Sequence, residues 1–248
     1  MIAEPARLPC RQVEFEFEGA RIPIHIALPA SPPRLTVMLL GGIWSVTPHI
    51  EDLCDLLTAA GFGAIAPCQF RNVGIPARDA SPEVLRQTFL DFDDRRCTRD
   101  LRAIARAASL GSFGFAPGAI VACGFCLGGR FAHYLGALSE HVAGVVNFYG
   151  RLRFARQPIK PFLPIELTHL IEVPYLGHFG ERDALIPSED VDELRAALRE
   201  RGVPHRISVY PGTVHGFVDP LRPAEHHPHA ASLAWAATLD FLQGIANQ

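Results

Sequence analysis

The sequence predicts an α/β fold with a mostly parallel central sheet of about eight strands and helices on both faces. The first observation behind this prediction is that short apolar, β-branched runs alternate with segments of helical spacing along most of the chain. The second is a pair of strictly alternating segments near the start, which favours an antiparallel hairpin. The third is size, because 248 residues with 48% hydrophobic content can bury a substantial core. We therefore expect a single domain over residues 1–248.

The expected strands are short and are mostly bounded by glycine, proline or polar residues. In chain order they lie at 13–17, 21–28, 35–40, 62–67, 119–123, 142–148, 174–179 and 205–210. The first two form an N-terminal hairpin, 13–28. Pro23 within it indicates an edge position, because proline has no N–H to donate to a neighbouring strand.

The expected helices follow most of these strands. They lie at 47–61, 83–89, 93–109, 188–201 and 224–245, with one more beginning at 127. Thr47 and Ser188 are expected to cap two of them, and Pro48 suits the first helical position. Two stretches, 68–92 and 152–172, are irregular, and we expect 68–92 on the active-site side. Because strands and helices alternate, functional groups are expected beyond the carboxyl ends of parallel strands.

The composition of the chain limits the kinds of binding partner and the cellular compartment that we expect. A net charge of −3, from 23 Lys+Arg and 26 Asp+Glu, gives no bias towards nucleic acid or an anionic membrane. The start has no signal-peptide pattern and the chain has no long apolar run, so we expect a cytoplasmic protein. Six cysteines in a chain of this length do not suggest a disulfide scaffold, and a reduced compartment suits them.

The strand–turn–helix around Cys126 is the strongest local signal for chemistry. A buried run, 119–123, ends at Gly124, and helical spacing begins at Leu127. Glycine stands two residues before Cys126 and two after it, at Gly128, as in the sharp turn that exposes a nucleophile. The positive end of the following helix favours a thiolate. This pattern predicts a nucleophilic cysteine.

Other interpretations of this turn are an ordinary tight connection and a phosphate-binding turn. The pair Cys123 and Cys126 also has the spacing of a redox motif. A redox role is disfavoured because Cys123 falls on the strand while Cys126 falls at the turn. Residues elsewhere in the chain are needed to distinguish these interpretations.

Asp183 and His215 each follow a later predicted strand, so the chain order is nucleophile, acid, histidine. Taken alone, Asp183 is more often a turn residue and His215 a structural histidine. Together they predict a triad in which His215 moves the thiol proton and Asp183 fixes its tautomer. The backbone N–H groups of Leu127 and Ile43 are the expected oxyanion donors. A histidine cluster, 226–229, lacks other metal ligands, and we expect no metal and no cofactor.

Three motifs carry a family resemblance. They are Gly-Phe-Cys-Leu-Gly-Gly-Arg at 124–130, Gly-Glu-Arg-Asp-Ala-Leu-Ile-Pro at 180–187 and Tyr-Pro-Gly-Thr-Val-His-Gly-Phe at 210–217. Together, and over about 13–243, the chain resembles the dienelactone hydrolase family. The resemblance implies an α/β-hydrolase fold, a Cys-His-Asp triad and cleavage of a small ester or lactone, with carboxymethylenebutenolide as the best-known substrate of the family.

The chain departs from the family pattern at the substrate side. The resemblance implies a glutamate beside the oxyanion loop, where Gly42 stands here. It implies an arginine shortly after the catalytic histidine, where Asp219 stands, with Arg222 beyond it. A second carboxylate-binding arginine matches Arg86 most closely. The motifs therefore support the nucleophile and the base, whereas the substrate-side positions do not support dienelactone itself as the substrate.

Substrate-binding candidates, by resemblance or by position at strand ends, are Gly42, Trp44, Arg86, Tyr149 and Arg151. The first hypothesis is a hydrolase, monomeric or homodimeric, that acts on a small-molecule ester or lactone through a Cys126 thioester. The alternatives are a catalytically weak binding or sensing protein on the same fold, favoured by Gly42 and Asp219, and an acyltransferase that uses the same triad.

Overall fold

The computed structural model describes residues 10–71 and 73–248, and within them eight strands form one sheet. Most of the amino-terminal segment in which we expected no signal peptide, 1–9, lies outside the described residues. The strands are β1 Cys10–Phe17, β2 Ala20–Ala27, β3 Leu35–Leu40, β4 Gly63–Pro67, β5 Ala119–Phe125, β6 Gly144–Phe148, β7 Tyr175–Gly180 and β8 His205–Tyr210. Their order across the sheet is β1-β2-β4-β3-β5-β6-β7-β8.

The sheet is antiparallel only at the end that holds the hairpin. Strand β2 pairs antiparallel with both β1 and β4, and all the other neighbouring pairs are parallel. The predicted mostly parallel sheet of about eight strands is therefore confirmed. No helix in the part of the chain that the structure describes is long and apolar enough to span a bilayer.

Seven α-helices accompany the strands within the described residues. They are α1 Pro48–Ala59, α2 Pro82–Asp91, α3 Asp94–Ser109, α4 Leu127–Leu138, α5 Pro164–Leu167, α6 Ser188–Glu200 and α7 Pro228–Ala246. Thr47 caps α1 as expected, since its side-chain oxygen accepts a hydrogen bond from the N–H of Ile50 at 3.4 Å. Ser81 and Asp93 cap α2 and α3 in the same way.

Helices cover both faces of the sheet, which two adjacent residues of β6 demonstrate. A Cβ atom placed on Gly144 would lie 2.5 Å from Cδ1 of Ile245 in α7. The next residue, Val145, touches the other face, where a Cβ atom placed on Gly136 of α4 would lie 2.3 Å from its Cγ2 atom. Because successive residues of a strand face opposite sides, α7 and α4 pack on opposite faces.

The position of Pro23 corrects one expectation. The proline lies in β2, between β1 and β4, and is therefore not on the edge strand. Proline lacks the N–H but keeps its carbonyl. The carbonyl oxygen of Pro23 accepts a hydrogen bond from the N–H of Cys68 at 2.8 Å, just beyond β4. The edge rule is wrong here because strand order depends on tertiary structure that no local pattern shows.

Two helix boundaries also differ from the expected ones. The last helix begins at Pro228 and not at 224, because His227 caps it by accepting a hydrogen bond from the N–H of Ala230 at 3.2 Å. Ser188 is the first helical residue of α6 and makes no capping bond, while Pro187 occupies the cap position. The irregular stretch 152–172 contains the short helix α5.

Four consecutive parallel strands, β5 to β8, end at the same edge of the sheet and set up the site. Cys126 follows β5, Tyr149 follows β6, Asp183 comes shortly after β7 and His215 comes shortly after β8. The carboxyl ends of parallel strands, where α/β proteins place their ligands, thus bring together residues that lie far apart in the sequence.

Candidate active site

Cys126 occupies a strained turn between β5 and α4. Its backbone angles are φ 55° and ψ −112°, a region that a residue with a side chain enters at a cost of about 1–3 kcal/mol. Two backbone hydrogen bonds hold it there. Its N–H donates to the oxygen of Phe148 at 2.9 Å, and its own carbonyl accepts from the N–H of Arg130 at 3.2 Å. Strain of this kind persists only where the surrounding structure enforces it.

The glycines around Cys126 are required by close packing. A Cβ atom on Gly124 would lie 2.0 Å from the carbonyl oxygen of Gly128, which leaves no room for any side chain. A Cβ atom on Gly128 would lie 1.9 Å from the carbonyl oxygen of Leu40 at the end of β3. The turn therefore has the tight glycine-flanked geometry that the sequence predicted.

Asp183 and His215 form a short hydrogen-bonded pair beside this turn. Nδ1 of His215 donates to Oδ2 of Asp183 at 2.7 Å. The Asp183 side chain is fully buried, and its other oxygen accepts a hydrogen bond from the N–H of Leu185 at 2.9 Å. Both carboxylate oxygens are thus occupied. The pairing fixes the orientation of the imidazole and leaves Nε2 as its other reactive nitrogen.

The electrostatics of Cys126 and His215 favour an ion pair. Burial alone would raise the pKa of Cys126, but His215, the N–H of Leu127 and the charge of Arg222 together hold this pKa below the ordinary thiol value. Burial alone would lower the pKa of His215, but the sulfur of Cys126 and the Asp183 carboxylate raise it. Nε2 of His215 is buried and, among the described residues, meets only the Cys126 sulfur, whose hydrogen bond with His215 helps to raise the pKa of the imidazole. It is therefore available to the thiolate or to a substrate.

A cavity of about 490 Å³ opens over these groups. Cys126 and His215 both line it, whereas Asp183 lies behind His215. The five substrate-binding candidates from the sequence also line it, namely Gly42, Trp44, Arg86, Tyr149 and Arg151. The volume is in the range of sites for small molecules.

The two expected oxyanion donors come from two different segments next to Cys126. Leu127 begins α4, and its N–H acts on the sulfur. Ile43 lines the cavity in the loop after β3. This loop runs next to the nucleophile, because a Cβ atom on Gly42 would lie 3.5 Å from Cβ of Cys126. The N–H of Ser45 donates to the oxygen of Gly42 at 2.9 Å and closes the loop into a turn.

Trp44 and Tyr149 form aromatic parts of the cavity wall. The Trp44 ring lies 5.2 Å from the guanidinium of Arg78 and 5.9 Å from that of Arg222, and its Nε1 donates to the oxygen of Ala77 at 3.3 Å. The Tyr149 ring lies edge-on to the His215 ring, with centroids 5.0 Å apart. Burial raises the pKa of Tyr149 well above its usual value, so the phenol stays neutral.

Several cavity residues were not expected from the sequence. His49 lines the cavity, and burial lowers its pKa although Asp219 opposes the change. Arg130 and Phe89 also line the cavity. The sequence contained a signal that could have placed Arg130 at the site. It stands four residues after Cys126 and so lies one helical turn away on the same face of α4.

The arginines that the family pattern implies are already paired. Arg86 of α2 lies at the solvent-exposed part of the cavity and forms a salt bridge with Glu83 at 2.7 Å. Arg222 forms one with Glu225 at 2.9 Å. Among the described residues, no group of histidine, cysteine and carboxylate side chains has the arrangement of a metal site.

Comparisons of the sequence and of the structure with known proteins all point to one family. The model of the dienelactone hydrolase family matches residues 22–246. A carboxymethylenebutenolidase of Rhodococcus opacus is 32% identical over 216 residues, which cover 84% of this chain and 80% of that protein. A candidate carboxymethylenebutenolidase of Yersinia pestis is 30% identical over 236 residues, 94% of this chain and 87% of that protein. The crystal structure of a candidate dienelactone hydrolase from Klebsiella pneumoniae superposes with a TM-score of 0.85 at 27% identity, covering 95% of this chain and 98% of that one.

Proposed function

The chain belongs to the dienelactone hydrolase family, and from this membership we propose that it hydrolyses a small ester or lactone with Cys126 as the nucleophile. One observation carries the proposal. Asp183 and His215 are hydrogen-bonded at 2.7 Å, and His215 lines one cavity with a cysteine whose pKa is held below the ordinary value. A buried carboxylate, an imidazole and an activated thiol are the parts that acyl transfer to a cysteine requires.

The reaction begins with attack of the Cys126 thiolate on the substrate carbonyl. The negative charge that develops on the carbonyl oxygen is stabilised by the N–H groups of Leu127 and Ile43. The C–O bond to the alcohol then breaks, and the imidazolium of His215 gives its proton to the departing oxygen. Cys126 is left as a thioester, and Asp183 stabilises the charged imidazole throughout the step.

Water completes the cycle. Neutral His215 takes a proton from a water molecule, and the resulting hydroxide attacks the thioester carbonyl. Collapse of this second tetrahedral species breaks the C–S bond, releases a carboxylic acid and returns the thiolate. No cofactor is needed for this sequence. The cavity of about 490 Å³ limits the substrate to small molecules.

Trapping the acyl-enzyme tests the proposal directly. When the enzyme is mixed with p-nitrophenyl acetate and quenched in acid within the first turnover, intact-protein mass spectrometry is expected to show one added acetyl group. Peptide mapping should place it on Cys126, and the adduct should disappear as hydrolysis finishes. Turnover with no acetyl group on Cys126, or with the group on a different residue, would refute the thioester route.

The depressed pKa of Cys126 predicts a distinct alkylation profile. The thiolate reacts, so iodoacetamide should modify Cys126 at pH values below the ordinary thiol range, and the rate should fall as pH drops through the lowered pKa. Burial raises the pKa of Cys97 and of Cys123, and these thiols should stay unmodified in the folded protein. Mass spectrometry of digested samples measures each site.

The matched variant for this profile is His215→Asn, which removes the imidazolium. Because His215 lowers the pKa of Cys126, the alkylation profile of the variant should move to higher pH. An unchanged profile would show that His215 does not activate the thiol.

A further inference from the structure

Two polar side chains from the segment that follows β3 line the cavity without a hydrogen-bond partner. Oγ of Ser45 and Nε2 of His49 are buried, and neither atom has a partner among the described residues. Both residues line the same cavity as Cys126. A buried hydroxyl or imidazole nitrogen that makes no hydrogen bond costs free energy, so such atoms are few in folded proteins.

The lack of a partner alone does not distinguish these two residues. Buried side-chain atoms of His25, Gln69 and Trp235 also have none in the described part of the chain, but these three residues do not line the cavity. Ser45 and His49 differ because their polar atoms belong to the wall that a bound substrate meets.

Ser45 carries a second cost, in its backbone. Its φ angle is 55°, in the left-handed region that glycine enters freely and a residue with a side chain enters rarely. The turn is tight, because a Cβ atom on Gly41 would lie 1.9 Å from the carbonyl oxygen of Ser45. Glycine at this position would remove both the strain and the unpartnered hydroxyl. Strained residues of this kind cluster at functional sites.

His49 is held next to the turn that carries the nucleophile. Its ring meets the ring of Phe125, the residue before Cys126, with centroids 6.4 Å apart and planes inclined at 63°. Burial lowers the pKa of His49, so the imidazole is neutral at neutral pH. A neutral imidazole has one nitrogen that donates a hydrogen bond and one that accepts.

Charges of both signs act on His49. Asp219, which also lines the cavity, has the largest charge effect on this histidine, and Asp52 acts in the same direction. His226 and Arg78 act in the opposite direction. The carboxylate of Asp219 disfavours an anion here, and the guanidinium of Arg78 disfavours a cation. The ligand group that suits this part of the wall is therefore neutral and able both to donate and to accept hydrogen bonds.

We propose that Ser45 and His49, with the carboxylate of Asp219, form a subsite that binds a hydroxyl group of the substrate. The inference rests on the proposed hydrolytic function and names the substrate class as small esters or lactones that carry a hydroxyl group. A hydroxyl can donate to the carboxylate and accept from Ser45 or His49. A site of this kind rejects an analogue without the hydroxyl, because the buried polar groups are then left unpartnered.

Matched substrates test the subsite in the unaltered enzyme. γ-Butyrolactone is compared with its α-hydroxy and β-hydroxy derivatives, which place the group on the acyl part. Ethyl acetate is compared with 2-hydroxyethyl acetate, which places it on the alcohol part. Each kcat/KM is divided by the rate constant for alkaline hydrolysis of the same compound, which corrects for intrinsic reactivity.

In at least one of these comparisons we expect the corrected kcat/KM to be about 10- to 100-fold higher for the hydroxylated member, the range of a hydrogen bond to a charged group. Equal corrected values in every comparison would overturn the inference.

Substitution then assigns the preference to the two residues. Ser45→Ala and His49→Phe should each reduce the ratio between the hydroxylated and parent compounds several-fold, and a general loss of activity cancels in this ratio. His49→Gln, whose amide keeps a donor and an acceptor, should give an intermediate ratio. His25→Phe is the control, because it removes a histidine with a buried, unpartnered Nε2 atom from outside the cavity. A ratio unchanged in both Ser45→Ala and His49→Phe, or reduced equally in His25→Phe, would contradict the assignment.

Glycine at position 45 separates binding from folding. Ser45→Gly should lose the hydroxyl preference to the same extent as Ser45→Ala, yet its thermal unfolding midpoint should be higher, because glycine relieves the strain at φ 55°. A lower midpoint for Ser45→Gly than for Ser45→Ala would contradict the strain and with it the argument for a functional serine.

A binding measurement distinguishes this inference from the proposed function. Ligand-observed NMR of the same compounds with Cys126→Ala, which cannot form a thioester, should show tighter binding of a hydroxylated member, and adding His49→Phe should abolish the difference. Such a difference in a protein whose parent cleaves no ester would refute the proposed function and leave the subsite intact. Ester cleavage without a hydroxyl preference in either turnover or binding would refute the subsite alone.

Discussion

Replacing Cys126 with alanine is expected to lower kcat/KM for p-nitrophenyl acetate by about a thousandfold or more, the usual cost of removing a catalytic nucleophile. The loss should appear in kcat, because the sulfur forms the bond that defines the acyl-enzyme, while the cavity that binds the ester stays in place. Steady-state release of nitrophenolate measures it. The variant should fold, since alanine has the same Cβ atom and meets the same backbone strain at φ 55°.

The control for this variant is Cys68→Ala, which removes a part-exposed thiol outside the cavity wall. It should keep its activity, and both variants should show the circular dichroism of the parent. Activity in Cys126→Ala within a few-fold of the parent would end the proposal of a cysteine nucleophile. It would leave the family membership untouched.

Gly128→Ala is expected to lower the free energy of unfolding by roughly 3 kcal/mol or more. The added Cβ atom would lie 1.9 Å from the carbonyl oxygen of Leu40 and 2.5 Å from that of Gly41. Both atoms belong to backbone, so no side chain can rotate away, and the end of β3 has to move. That movement displaces the loop with Ile43, so activity should fall as well. Urea unfolding followed by circular dichroism measures the stability.

Gly244→Ala is the matched control for this effect. Gly244 also lies in a helix, α7, but a Cβ atom placed on it would meet nothing within 4 Å. Alanine should therefore stabilise the protein by about 0.5–1 kcal/mol through helix propensity. If Gly128→Ala were as stable as the parent, the close approach of α4 to β3 would be wrong.

The parts of the fold that sequence predicted are those with a local signal. The alternation in 13–28 and the mostly apolar runs of β3 to β7 are determined by which side chains each strand buries. Because parallel strands end at the same edge of a sheet, Cys126, Asp183 and His215 were expected to lie together, although 89 residues of chain separate the first from the last. The candidate triad was therefore predictable from the positions of these three residues just after their strands.

The part of the cavity wall around Arg130 could not be predicted in the same way. Arg130 is buried because Phe89 and Phe154 enclose it, and these rings come from segments whose mutual approach no periodicity reveals. The edge position assigned to Pro23 failed for a related reason, since neighbours in a sheet are set by topology. The start of α7 had a local signal in Pro228, a residue that suits the first turn of a helix.

Helix α2 has a consequence for altering the substrate preference of this protein by mutation. Of its residues only Thr88 is buried, while Leu85, Arg86 and Phe89 line the cavity. The helix thus adds little to the hydrophobic core but a large share of the surface that a substrate meets. We therefore expect substitutions along 82–91 to change substrate preference more than they change the free energy of unfolding.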